Sequence, residues 1–288
     1  MPPLLRCGVP HAPPRNGRWA KRVCRMWTLW ACRAVLASRA VTDETTEQTA
    51  DEATDEADRT RFATYEARSA VWNAWGELDP YVIAPIVNPG FMGGDFWPDT
   101  RQAHVVSRRP DAVLLASDGL SDPFGQPDAP RRNGWGVEFY GIATDPALVG
   151  YQVVMDLASS WLATAVMGMS GIEASGKHVV PALAEFGTLS VEFDGSRMPG
   201  PHRDRFVRDN GSITFLLNLT DPAIVPAVID GPLSPIHLVN VKLLTVAETN
   251  TIITGTVPDQ IAARAELTAK LAAQPDPLVS SLDRPSVV

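Results

Sequence analysis

Three carboxylates in one short stretch are the side chains best suited by type and spacing to do chemistry: Asp118, Asp122 and Glu138. An apolar run at 112–116 leads into Ser117-Asp118-Gly119-Leu120-Ser121-Asp122-Pro123-Phe124. A polar loop follows, and then Asn133-Gly134-Trp135-Gly136-Val137-Glu138-Phe139-Tyr140. The order reads strand, carboxylate-rich loop, strand. Two strands flanking one loop can bring their carboxylates together, and with His178 they would form a general acid–base or metal site of hydrolase type. The same residues have a plainer use. Aspartate beside glycine or proline bonds its own backbone in a tight turn, and Glu138 has Arg131 and Arg132 nearby in sequence as ion-pair partners.

The other candidates are thinner. His104, His178, His202 and His237 are isolated, without the short spacing of a zinc pair, so no metal is expected. Gly168-Met169-Ser170-Gly171 resembles a nucleophile elbow but lacks the residue between serine and the second glycine, and no strand precedes it. It reads as a helix end, where glycine relieves strain. No phosphate loop or dinucleotide fingerprint is present, since Gly134-x-Gly136 falls inside an expected strand; no cofactor is expected. Trp135, between two glycines, is either a platform that lets another backbone approach or a ring filling the core.

The paired motif, Gly119-Leu120-Ser121-Asp122-Pro123-Phe124 followed by Gly134-Trp135-Gly136-Val137-Glu138-Phe139, is similar to the signature of the suppressor-of-fused domain family. In that family a Gly-Leu-Ser-Asp segment precedes a Gly-(aromatic)-Gly-(aliphatic)-Glu strand. Later pieces fit in the expected order: a helix holding Trp161, the Gly176-Lys177-His178-Val179 turn, and apolar strands between 211 and 246. The resemblance covers residues 62–270. It implies a non-enzymatic protein-interaction domain. Eukaryotic relatives clamp a short peptide as an added strand. That clamp involves a second, C-terminal domain with no counterpart after residue 275, so it is not carried over. Bacterial members with the domain alone resemble immunity proteins, which implies a protein partner; the acidic body is compatible with a basic, toxin-like one, and the cysteine-free body with a cytoplasmic location. The docking surface expected under this reading is Asp118, Ser121, Asp122, Phe124, Trp135 and Glu138.

The elements that must position these residues follow from pattern. Residues 62–78 predict a helix, with Phe62, Tyr65, Ser69, Trp72 and Trp75 at spacings of three and four and Pro80 at its end. Residues 81–99 are apolar and turn-rich and read as a short strand and a packed loop. Strands are expected at 103–107, 112–117, 187–193 and 236–246, and around Ile213, Phe215, Leu217 and Leu219. One long helix is expected from Ala147 to Met169, started by Asp145-Pro146. A last helix begins at Pro258, with Ile261, Ala265 and Leu271 on its buried side. Residues 196–210 and 221–235 read as loops. The tally of three helices and seven strands gives an α+β fold, with helices on a mixed or mainly antiparallel sheet.

Charge divides the chain. Residues 1–40 hold seven arginines, one lysine and no acid, whereas the remainder holds 17 basic against 33 acidic residues. So acidic a body is repelled by phosphate and a poor fit for nucleic acid; it suits a basic partner. All three cysteines, Cys7, Cys24 and Cys32, fall in the basic leader, which leaves the body without a disulfide or cysteine-bound metal. The apolar run at 26–32 is closed by Arg33 and too short for a secretory signal, and Asp156 interrupts the longest apolar helix, so no membrane span is expected. Residues 1–60 are expected to be a disordered leader and acidic tail, 1–40 of it a candidate mis-called start with Val41 as the true first residue. Residues 61–275 form the domain, and 276–288 are expected to be a frayed C-terminal tail.

Overall fold

The computed structural model describes residues 44–86, 97–126, 129–150 and 154–288. The three cysteines, the leader and the turn-rich loop at 88–95 lie outside them.

Helix α1 (Glu44–Trp75) opens the fold. It starts well before the predicted residue 62 and includes the segment expected as an acidic tail, a stretch with no glycine or proline to break a helix and with acids to suit its first turns. Its buried stripe also differs from the predicted one. Thr64, Arg68, Trp72 and Trp75 face inward, at helical spacing, whereas Phe62 is 64% exposed.

The strands are β1 (Glu77–Leu78), β2 (Ala103–Arg108), β3 (Val113–Asp118), β4 (Val137–Ala143), β5 (Leu189–Asp194), β6 (Ser212–Leu217), β7 (Val228–Asp230), β8 (Pro235–Leu243) and β9 (Val279–Ser280). They make one sheet in the order β1-β2-β3-β4-β8-β6-β5, with β7 also on β8 and β9 also on β4. The sheet is mixed. The central strand β4 runs parallel to β8, Val137 opposite His237 and Tyr140 opposite Asn240, and parallel to β9. The expectation of a mainly antiparallel sheet is corrected at this point, since residue pattern marks the faces of a strand and not its direction.

Among the described residues there are eight α-helices rather than three. The predicted helix from Ala147 is broken into α2 (Pro146–Val149), α3 (Val154–Ala158) and α4 (Trp161–Ala174). The second break falls at Ser160, whose hydroxyl caps α4 by accepting from the Ala163 amide at 3.2 Å. Helix α5 (Val179–Phe186) follows the Gly176 turn, and α6 (Arg203–Phe206) sits in the expected polar loop. Helix α7 (Val246–Ile253) carries a capping box, Thr245 with Glu248, which is a sequence-level start signal. Helix α8 (Val257–Ala272) buries Leu267 and Leu271, while Ile261 is exposed.

Helices cover both faces. On one, α1 sets Trp72 and Trp75 against Leu114, Ala116, Tyr140, Ile142 and Leu238, and the same core takes in Ile252 of α7 and Leu271 of α8. On the other, Trp161, Leu162 and Val166 of α4 lie in one core with Val113, Leu115, Val137, Phe139 and Val241. The segment expected to fray is built in: β9 joins the sheet, Leu278 and Leu282 are buried, and Arg284 pairs with buried Glu248 at 2.5 Å. Residues 53–288 pack as one unit. No helix among the described residues is long and apolar enough to cross a membrane.

Candidate functional site

Asp118 ends β3, Glu138 lies on β4 and Asp122 on the loop between them, and they meet at a fourth residue that pattern reading missed. Arg68 enters from the buried stripe of α1 and is fully buried. Its Nε donates to Asp118 Oδ1 at 2.9 Å, and its Nη2 lies 2.7 Å from the same oxygen. Its Nη1 lies 2.6 Å from Asp122 Oδ1, donates to Ser121 Oγ at 2.9 Å and is 3.6 Å from Glu138 Oε1. Arg101, half-exposed, closes the outer side by donating to Asp118 Oδ2 from Nε at 2.6 Å. Glu138 accepts four hydrogen bonds: from the Ser117 hydroxyl at 2.5 Å, the Ser121 hydroxyl at 2.7 Å, and the backbone amides of Ser121 and Gly119 at 3.0 and 3.2 Å.

The two halves of the motif are fastened by the same logic. The Trp135 amide donates to the Leu120 carbonyl at 2.8 Å. Gly134 sits at φ 43°, and a Cβ there would press on the carbonyl oxygens of Leu120 and Asp122, so glycine is required. Asn133 is fully buried. Its Nδ2 donates to Thr64 Oγ1 at 2.8 Å and to the Ser121 carbonyl at 3.2 Å, and its Oδ1 accepts from the amides of Leu233 and Ser234, each at 2.9 Å. Helix α1, the motif loop and the approach to β8 are thereby held on one amide side chain.

Burial sets the electrostatics. It pushes the carboxyl groups of Asp122 and Glu138 above their ordinary range, with Arg68 opposing it in both. Burial also disfavours the charge on Arg68, but Glu138, Asp118 and Asp122 together outweigh it and hold the guanidinium above its usual value. A buried arginine surrounded by carboxylates is a structural clamp by its own chemistry: each lone pair given to a guanidinium or an amide is not free to take a proton from a substrate.

The predicted site residues therefore divide. Asp118, Ser121, Asp122 and Glu138 are brought together but buried, which removes them from any docking surface. Phe124 and Trp135 stay half-exposed, with ring centroids 5.0 Å apart and edge to face. Trp135 lies in a turn rather than in β4, and its partly buried ring packs against the core, as the core reading expected, without being wholly enclosed. Arg132 stands over both rings, 5.7 Å from Phe124 and 5.9 Å from Trp135. His178 is not with the acids. Its Nδ1 bonds Glu173 at 3.0 Å and its ring packs on Trp135 at 4.7 Å. Beside this corner a cleft of about 500 Å³ runs between α1 and the loop, lined in part by Glu56, Arg61, Phe124, Arg131, Arg132 and Leu233. A larger cleft, about 750 Å³, lies at the β1 edge around Leu78, Tyr81, Val82 and Met155, away from the motif.

Ser170 does meet a histidine, His104, at 3.2 Å, but both are buried and the hydroxyl donates to the Val166 carbonyl at 2.9 Å. Burial lowers His104 to about 4, so the ring is neutral at ordinary pH. Among the described residues no three His, Cys, Asp or Glu side chains are placed to share a metal ion. Arg68 was findable in principle: three acids in one motif require a counter-charge, and stepping back from Trp72 by one helical turn lands on it. No family model matches the chain, and no curated protein matches it.

Proposed function

We propose that this chain is a protein-binding domain of suppressor-of-fused type, and that its partner docks on the outward corner of the motif loop, Phe124, Trp135 and Arg132, with the adjoining cleft. One observation carries the reading: the motif's carboxylates face inward onto Arg68, while Phe124 and Trp135 stay only partly buried beside the exposed Arg132. The carboxylates then act as the frame that holds the corner. Aromatic rings and arginine are the side chains that most often anchor protein interfaces. The hydrolase alternative draws no support from this geometry, because the lone pairs of Asp118 and Glu138 are engaged and His178 is turned to Glu173.

The partner's class follows from charge. With 33 acids against 17 bases after residue 40, the body attracts a basic protein and speeds its encounter; neutralising a basic toxin is the role this would serve. The test uses the full chain as bait in extracts of the native cell, beside a Phe124→Ser/Arg132→Glu variant with the same circular dichroism spectrum. The wild type is expected to retain one protein in stoichiometric amount and the variant to retain at least about tenfold less, 1.4 kcal/mol of binding. Equal retention by the two baits would move the interface elsewhere, and no stoichiometric protein on either would overturn the binding role.

A further inference from the structure

The buried cluster does not balance by charge. Arg68 and Arg101 supply two cations, and Asp118, Asp122 and Glu138 supply three carboxyl groups. Asp118 takes both guanidiniums, and Glu138 is met by four hydrogen-bond donors. Asp122 has one neighbour of this kind, Arg68 Nη1, which lies 2.6 Å from its Oδ1 and also serves Ser121, and its Oδ2 has no hydrogen-bond partner. A buried net charge is costly unless a proton or partner cancels it. The remaining cation near Asp122 is Arg61, two helical turns before Arg68 on α1, and it is taken by Asp58 at 2.6 Å and Asp99 at 2.5 Å.

We propose that the cluster holds its missing positive charge as a proton on Asp122, and that loss of this proton loosens the loop that Asp122 anchors. The charged groups that act on Asp122 are Arg61 and Arg68 from α1, Arg101 from the segment before β2 and Asp118 from β3, and Glu138 of β4 shares Arg68 Nη1 with it. Of the two carboxyls that burial pushes up, Glu138 has donors enough to be held ionised and Asp122 does not. The proton accordingly settles on Asp122. The consequence runs in one direction. An acid whose folded-state value is raised stabilises the fold below its unfolded value, and that contribution is lost as pH rises through the folded value. Asp122 directly precedes Pro123 and Phe124, so the element that loosens is the one presenting the docking corner.

Infrared difference spectroscopy of the full-length protein tests this. At about pH 6, where ordinary carboxyls are ionised, the wild type is expected to show the C=O stretch of one protonated carboxylic acid that is absent from the unfolded chain. Asp122→Asn should abolish that band and leave the denaturation midpoint unchanged or higher, while Glu138→Gln should keep the band. Urea midpoints of the wild type should fall relative to Asp122→Asn as pH rises. No protonated band in the folded wild type would overturn the proposal, as would a band that survives Asp122→Asn.

Discussion

A guanidinium taken wholly out of water is tolerated only where its N–H groups meet acceptors, and Arg68 meets Asp118, Asp122 and Ser121 within 2.9 Å. Breaking a buried pair costs more than the pair contributes, because the abandoned charges stay buried. Lysine cannot replace the arginine, having no planar fork to reach Asp118 and Asp122 together. Asn133 works the same way with neutral groups. Asn133→Ala strands the amides of Leu233 and Ser234, and the expected loss is about 1–3 kcal/mol by urea unfolding; no change would mean that the loop and the β8 approach are held by other contacts.

At the scale of elements, the C-terminal segment carries the clearest prediction. Strand β9 extends the sheet beside β4 where β8 has turned toward β6, and the segment is pinned by Arg284 on Glu248, by the Lys242 ammonium on the Val279 carbonyl, and by the Leu243 amide on Ser280 Oγ at 3.0 Å. Burial opposes the charge on Glu248, but the Arg284 guanidinium outweighs it and holds the carboxyl below the ordinary glutamate range. A lowered carboxyl stabilises the fold above its unfolded value and loses that contribution as pH falls through the folded value. Arg284→Met is expected to cost about 3–5 kcal/mol at neutral pH and to flatten the acid side of the stability profile, read from urea midpoints taken from neutral pH down through the ordinary glutamate range and below it. A variant that keeps the wild-type profile would show that the segment is held without this pair.

The same element shows where the sequence was legible and where it was not. Apolar runs located β2, β3 and β8 and alternation located β5 and β6; in burial only β5 alternates, while β2, β3, β6 and β8 are buried at nearly every residue because helices cover both faces. Strand β9 is two residues long and gains its place from β4 and Lys242, which no local pattern encodes. Helix α1 was half read: tryptophans mark its core-facing turn, but Arg68 and Thr64 continue that stripe as polar residues, and a hydrophobicity pattern passes over them. The motif's strand–loop–strand order and the convergence of its acids were readable from the turn residues. Their inward direction was not, since it depends on a helix fifty residues earlier.

For the whole molecule, long-range charge and local anchoring make separate predictions. If the proposed basic partner is steered by the acidic body, its association rate should fall steeply between low and physiological ionic strength, because salt shortens the reach of the field. In the proposed docking, anchoring at Phe124, Trp135 and Arg132 would act after encounter. The Phe124→Ser/Arg132→Glu change is therefore expected to raise the dissociation rate more than it alters the salt dependence of association, as surface plasmon resonance would read. A variant affected only in association would assign the corner to steering alone.

The central claim is that the acidic motif is a buried clamp closed on Arg68 and not an open reactive site. Equilibrium urea unfolding of Arg68→Met beside the wild type tests it most directly. The clamp predicts a loss of about 3–5 kcal/mol, or a chain that no longer folds, because three carboxyl groups would be left buried without their shared cation. An Arg68→Met protein as stable as the wild type would contradict it, and would mean that Asp118, Asp122 and Glu138 reach solvent and are free to do chemistry.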